Sequence, residues 1–317
     1  MLRNVLVGCA AIACSLFIAS AVQAGVAGGI ALLADFDGDG ETDVGVYDTT
    51  NGDWFVNQSG GVFLTIPGFG GPNSIPVPAD YDGDGDADPA IHDTTNGDWF
   101  AVEVVDAATF NFNLLLVVPA FGGNGETPVP ADYNGDGIAD TAIYDPSNGN
   151  WILNVDPANP GNAEVVGNFG GPGFTPVPGD YDGDGEVDEA VQETATGQWS
   201  LNQSTDGFDN SITSFAGGGT FSVFARDFDG DGADDPSAYD TTNGDWFAEL
   251  SGGGIFSLAG FGGVGFSPVG AFWDTDSTSD PGIYDDAQGD WFFDLSATMM
   301  TEIVPAFGGA NYVPSQP

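Results

Sequence analysis

A nine-residue pattern, Asp-x-Asp-Gly-Asp-Gly-x-x-Asp, recurs along this chain and constrains its fold more than any other feature. Copies start at Asp35, Asp80, Asp132, Asp180 and Asp227, with a decayed copy starting at Phe272. The spacing of about 47 residues falls in the range of propeller blades and solenoid units. Each unit has one internal order. An apolar or proline-bearing run such as Ile75-Pro76-Val77 precedes the aspartate loop. An alternating run follows, as in Val44-Gly45-Val46-Tyr47, then a Thr-Thr-Asn-Gly turn at 49–52 with an Asn-Gly hairpin signal. A Trp-led run from Trp54 and a fourth run over 62–66 lead to Phe69-Gly70-Gly71. That is four short strands per unit and no helical stretch. The reading is all-β: a single β-propeller of six blades, each of four antiparallel strands. The repeats span close to a whole number of periods, from the run at 29–34 to Phe307-Gly308-Gly309. A closed ring requires that, whereas an open solenoid would want polar caps. A linear array or separate sandwiches are the alternatives.

Composition agrees with a folded, helix-poor chain. The 317 residues carry 48 acids against two basic residues, Arg3 and Arg226, for a net charge of −46. Acidic disordered tails are poor in apolar residues, but here 41% are hydrophobic and 12% aromatic. The acid is 39 Asp and only 9 Glu, beside 50 Gly and 20 Pro. Asp competes with helix backbone for hydrogen bonds, so this balance favours turns, strands and metal loops. A chain without a basic footprint is excluded from nucleic-acid binding and from anionic lipid. With His92 as its one histidine and no lysine, little remains for base catalysis by those residues. The charge also opposes self-association, which points to a monomer.

Residues 1–24 read as a cleaved secretory signal: Arg3, an apolar run from Val5 to Ile18, and a cut after Val22-Gln23-Ala24. The apolar run is short for a retained anchor. Leu6-Val7-Gly8-Cys9 resembles a lipobox, but too few apolar residues precede it. Cys9 and Cys14 both lie in this segment, so residues 25–317 form the repeat domain without disulfides. The expected location is secreted, extracellular or periplasmic, without membrane insertion after signal cleavage.

Trp54, Trp99, Trp151, Trp199, Trp246 and Trp291 occur once per unit at one place. Repetition in every unit argues for packing between blades rather than for ligand stacking. The Phe-Gly-Gly elements at Phe69, Phe121, Phe169, Phe261 and Phe307 read as packing plus a tight turn. His92 takes the place of Tyr47, Tyr144, Tyr239 and Tyr284, as a half-buried strand residue rather than a base.

The aspartate loops carry the chemistry. Carboxylates at positions 1, 3, 5 and 9 can converge on one cation, with the carbonyl of position 7. An all-oxygen set selects a hard ion, and Ca²⁺ accepts six to eight such oxygens. Glycine at position 6 allows the wrap. Without a cation, the clustered carboxylates would repel and raise one another's pKa. A solvated acidic turn would not recur five times at one place. An EF-hand needs a bidentate Glu at position 12, where this chain has Val46, Ile91, Ile143, Val191, Ala238 and Ile283. The short nonapeptide repeats of RTX proteins do not match a period near 47.

The loop, with Phe-Gly-Gly before it and an apolar strand after it, resembles the FG-GAP/VCBS repeat family and the calcium-binding blades of integrin α-subunit propellers. The resemblance covers about residues 29–314. It implies a propeller with calcium loops between the first two strands of the blades, and about five Ca²⁺ ions. By position, the first site is Asp35, Asp37, Asp39 and Asp43, and the second Asp80, Asp82, Asp84 and Asp88. The third is Asp132, Asn134, Asp136 and Asp140, with Asn134 a neutral ligand. The fourth is Asp180, Asp182, Asp184 and Asp188, and the fifth Asp227, Asp229, Asp231 and Asp235. In the sixth, Phe272 replaces position 1, and Thr275 and Ser277 replace both glycines. It keeps Asp274, Asp276 and Asp280 and is expected to be weak or empty. Many members of that family are extracellular adhesion or recognition proteins, which implies a module for a glycan or protein; the carboxylates lie in repeating loops rather than as a unique pair, so the reading is non-catalytic. A calcium-dependent polysaccharide lyase or hydrolase, or a passive matrix component, are the other readings.

Overall fold

Short apolar-alternating runs punctuated by glycine turns form strands, because each run can bury one face and still pair on both edges. In the computed structural model, residues 29–106, 111–156, 163–205, 207–209, 214–274, 276–295, 300–305 and 307 are described. Residues 1–28, which include the segment read as a signal, and Thr275 and Gly308-Gly309 lie outside them.

The described residues form six four-stranded antiparallel sheets. Blade 1 is β1 (Gly29–Ala34), β2 (Asp43–Asp48), β3 (Asp53–Asn57) and β4 (Phe63–Ile66). Blade 2 is β5 (Ser74–Pro76), β6 (Ala90–Asp93), β7 (Asp98–Asp106) and β8 (Asn111–Val118). Blade 3 is β9 (Thr127–Pro128), β10 (Thr141–Asp145), β11 (Asn150–Asn154) and β12 (Glu164–Val166). Blade 4 is β13 (Phe174–Pro176), β14 (Glu189–Glu193), β15 (Gln198–Gln203) and β16 (Gly207–Asp209). Blade 5 is β17 (Phe221–Arg226), β18 (Asp235–Asp240), β19 (Trp246–Glu249) and β20 (Ile255–Leu258). Blade 6 is β21 (Phe266–Pro268), β22 (Gly282–Asp285), β23 (Trp291–Leu295) and β24 (Met300–Val304). The protein is a six-bladed β-propeller, as the repeat predicts. No helix among the described residues is long and apolar enough to cross a membrane.

One cross-strand row recurs. Tyr47 pairs with Trp54, which pairs with Ile66; Tyr239, Trp246 and Leu258 repeat the row in blade 5. The six tryptophans of this row, one per blade, are at most 1% exposed, which makes them core residues. In five blades the indole N–H donates to the carbonyl of the Phe-Gly-Gly phenylalanine, as in Trp54 to Phe69 (2.9 Å) and Trp291 to Phe307 (2.8 Å). The Tyr47 hydroxyl accepts from the Gly71 N–H at 2.7 Å, and a Cβ on Gly70 would fall on that hydroxyl. Only glycine fits there.

Blade 4 departs. Gln192 replaces the tyrosine and donates to the Ala216 carbonyl at 3.0 Å. Phe215-Ala216-Gly217 supplies the turn, Ala216 holds φ = 60°, and Trp199 stacks on Phe215 at 5.7 Å with its indole nitrogen unpartnered. Phe215 falls outside the Phe-Gly-Gly pattern because Ala216 stands between it and the glycines. His92, expected to be half-buried, is fully buried against Trp99. The histidine takes the inward place of the row's tyrosine, and that burial lowers its imidazole pKa, against a role as a solvent-facing base.

A belt of backbone bonds closes the ring. The N–H at position 8 of each loop donates to the position-1 carbonyl of the preceding loop: Ala87 to Asp35, Ala139 to Asp80, Val187 to Asp132, Asp234 to Asp180 and Ser279 to Asp227. Thr42 to Phe272, at 2.8 Å, completes the circle. One core cluster joins Leu33, Val44 and Phe55 of blade 1 to Tyr284, Trp291 and Phe307 of blade 6, and Phe63 meets Phe307 edge-on at 6.0 Å. These contacts exclude the linear array.

Candidate metal centres

Because strands alternate in direction, the turns between first and second strands and those between third and fourth strands share one end of the ring. The aspartate loops occupy the first kind of turn in every blade, where the resemblance places them.

Local bonds explain each position. The position-1 carboxylate ties the loop: Asp35 accepts from Gly38 (2.7 Å) and Gly40 (2.8 Å), and Asp227 from Gly230 (2.6 Å) and Gly232 (2.9 Å). The glycines at positions 4 and 6 have positive φ, +68° and +90° in the first loop, a conformation that glycine adopts without penalty. The position-9 carboxylate accepts from the position-2 N–H, as in Asp43 with Phe36 (2.8 Å) and Asp188 with Tyr181 (2.8 Å). These bonds hold the position-1 and position-9 carboxylates in place before any ion is considered.

Oxygens from three acids approach within 4.8 Å of one another at Asp35-Asp37-Asp39, Asp80-Asp82-Asp88, Asp180-Asp182-Asp184 and Asp227-Asp229-Asp235. In the first, fourth and fifth loops the position-3 Oδ1 of Asp37, Asp182 and Asp229 is buried without a hydrogen-bond partner. A buried unpaired carboxylate oxygen is costly. Burial, and after it the charge of neighbouring carboxylates, pushes Asp88 up to about 8 and Asp43, Asp140, Asp188 and Asp235 up to about 7. Buried carboxylates short of donors and crowded by like charge fit a hard cation, and the all-oxygen donor set fits Ca²⁺.

The third loop differs. Asn134 turns its amide Nδ2 towards Asp140 (3.3 Å) and the Val155 carbonyl (3.4 Å). The amide hydrogens bridge positions 3 and 9, where the other loops present two carboxylates. In the sixth loop, Phe272 supplies no carboxylate to tie positions 4 and 6. Asp276 instead accepts from Thr278 through both N–H (2.9 Å) and hydroxyl (2.7 Å), and Asp280 is buried.

Two contributors escaped sequence reasoning. Asp86, at position 7 of the second loop, lies where a Cβ on Gly38 of the first loop would fall, so blade 2 adds a carboxylate beside the first site. Burial, then Asp84 and Asp35, raises its pKa to about 6. Its signal was an acid where the other loops vary. The second contributor is the turn between third and fourth strands, whose serines reach the loops in blades 1, 4 and 5. Arg226, one of the chain's two arginines, is buried and donates to the Gly270 carbonyl (3.0 Å) and the Ala225 carbonyl (2.8 Å). It links blade 5 to blade 6.

No family model matches the chain, and no curated protein matches it in sequence. Solved structures do match. A lectin of Agrocybe aegerita, described for specific recognition of non-reducing terminal N-acetylglucosamine, superposes with a TM-score of 0.59 at 17% identity. The match covers 89% of this chain and 81% of the lectin. The Photorhabdus luminescens Tc holotoxin pore matches at 13% identity with a TM-score of 0.45, over 88% of this chain and 15% of that one. At such identities the likeness bears on the fold.

Proposed function

We propose that this protein is an exported, calcium-stabilised, non-catalytic propeller that recognises glycans outside the cytoplasm. It is a divergent relative of the FG-GAP/VCBS repeat group. The observation that carries the calcium reading is the buried, unpartnered position-3 oxygen repeated at Asp37, Asp182 and Asp229. The ligands are those named for the five loops, from Asp35 to Asp235. When bound, Ca²⁺ neutralises the inward carboxylates and lets the buried position-9 acids ionise. The chain's own part is to hold those oxygens in place through the glycine N–H groups and the position-2 N–H.

The glycan reading is supported by the shared ring with a propeller lectin over most of both chains. Recognition would use one rim of the ring. Most acids with a raised pKa sit in the repeated loops; the others, Glu189 and Asp286, lie in different blades and form no pair, and the one imidazole is buried, which favours binding over turnover. A glycan array including terminal N-acetylglucosamine, probed with and without calcium, tests this. The expected outcome is retention of at least one glycan class, lost on chelation. An array blank in both conditions would remove the glycan reading and leave a protein-binding or matrix role.

A further inference from the structure

We propose that Ser59, Ser204 and Ser251 are positioning residues that clamp three of the loops and sort the calcium sites into two affinity classes. The inference rests on the calcium reading above and deepens it.

Each serine lies five residues after the blade tryptophan, in the turn between third and fourth strands, and that turn folds over the aspartate loop. The same donors recur. The serine N–H bonds the position-9 carboxylate: Ser59 to Asp43 (2.6 Å), Ser204 to Asp188 (2.7 Å) and Ser251 to Asp235 (2.6 Å). The serine hydroxyl bonds position 5: Ser59 to Asp39 (2.8 Å), Ser204 to Asp184 (2.7 Å) and Ser251 to Asp231 (2.9 Å). The next N–H bonds position 3: Thr205 to Asp182 (3.2 Å), Gly252 to Asp229 (3.2 Å), and Gly60 to Asp37. Three donors thus hold three of the four ligand carboxylates from outside.

A second observation coincides with the first. Among the described residues, the position-3 acids with a buried, unpartnered Oδ1 are Asp37, Asp182 and Asp229, those of the three clamped loops. In blades 4 and 5 the clamp takes Oδ2 of this acid and leaves Oδ1 facing inward. In blades 2 and 3 the equivalent place is Val104 and Asp156. Val104 lies inside the longer β7, and an acid at 156 brings no hydroxyl. In blade 6 the place is Ser296, outside the described residues. Donors that fix ligating carboxylates without touching the metal commonly account for 10- to 100-fold in affinity, because the ligands need no reorganisation on binding.

The test is a calorimetric Ca²⁺ titration of the full chain and its variants, with circular dichroism to verify folding. The native protein should show three tighter ions and a weaker class about 10-fold or more below them. Ser59→Ala with Ser251→Ala should leave one tight ion, and Ser251→Ala alone should leave two, so a double variant that fails to fold does not end the test. Ser204→Ala should change little, because the Thr205 hydroxyl also reaches Asp184, at 2.7 Å. Ser59→Thr with Ser251→Thr keeps the hydroxyls and should restore three. One uniform class of ions in the native protein, or a tight class untouched by the alanine variants, would overturn the clamp and leave the calcium reading standing. A native protein that takes up no calcium would remove the reading beneath it.

Discussion

Chelating calcium with EDTA should lower the melting temperature by about 15 °C or more. An ion bound only by the folded state stabilises it by RT ln(1 + [L]/Kd). For affinities of about 0.1–1 mM, the usual extracellular range, 10 mM calcium contributes about 1.4–2.7 kcal/mol per site. Five sites give about 7–14 kcal/mol, at about 2–4 °C per kcal/mol for a chain of this size. The pH dependence should change with the ion. In the chelated protein, burial raises the position-9 carboxyls Asp43, Asp88, Asp140, Asp188 and Asp235 to about 7–8. Unfolding returns them to the ordinary carboxylate range, so the stability they carry is present below about pH 4 and is lost as pH rises through about 7–8. The chelated melting temperature should therefore fall between pH 5 and pH 8, and calcium should suppress or reverse that fall. Scanning calorimetry at three pH values, with calcium and with EDTA, checks both statements.

Replacing Trp291 by alanine should cost about 3–5 kcal/mol. The indole is fully buried, donates to the Phe307 carbonyl at 2.8 Å, packs on Tyr284 at 4.7 Å, and belongs to the core cluster that joins blade 6 to blade 1. The cavity would open at the seam, where closure depends on that cluster, on the Phe63–Phe307 contact and on the Thr42–Phe272 bond. The melting temperature should fall by about 10 °C with calcium present. A loss below about 1 kcal/mol in calorimetry would mean that the seam tryptophan is not holding the ring. Gly70→Ala would disturb a similar contact within a blade, between Tyr47 and the tight turn.

Periodicity made the blades and their strand order legible, because residues that recur at one place in the unit occupy one place in each sheet. The six tryptophans show this best: position alone marked them as core. What the repeat hid was contact between units. Asp86 lies beside the first loop from the second blade, and the acid at position 7 of its own loop does not say which loop it faces. The serine clamp joins two turns about 20 residues apart that meet only because strand alternation puts them at one end. Blade 4 kept the geometry with other residues, Gln192 for tyrosine and Ala216 for glycine, so a search for Phe-Gly-Gly passed over Phe215. Asn134, read as a neutral ligand, also bridges Asp140 through its amide hydrogens, an arrangement that side-chain chemistry permits but spacing does not specify. The six loops hold more than half of the Asp residues, so much of the acidic charge has a fixed place in the fold.

The most direct test counts ions. Native mass spectrometry of the purified protein at saturating calcium should find five Ca²⁺ per chain, falling to four when Asp227→Ala removes the tie of the fifth loop. A chain that carries no calcium, or one that holds six ions of equal strength despite Phe272, would contradict the account.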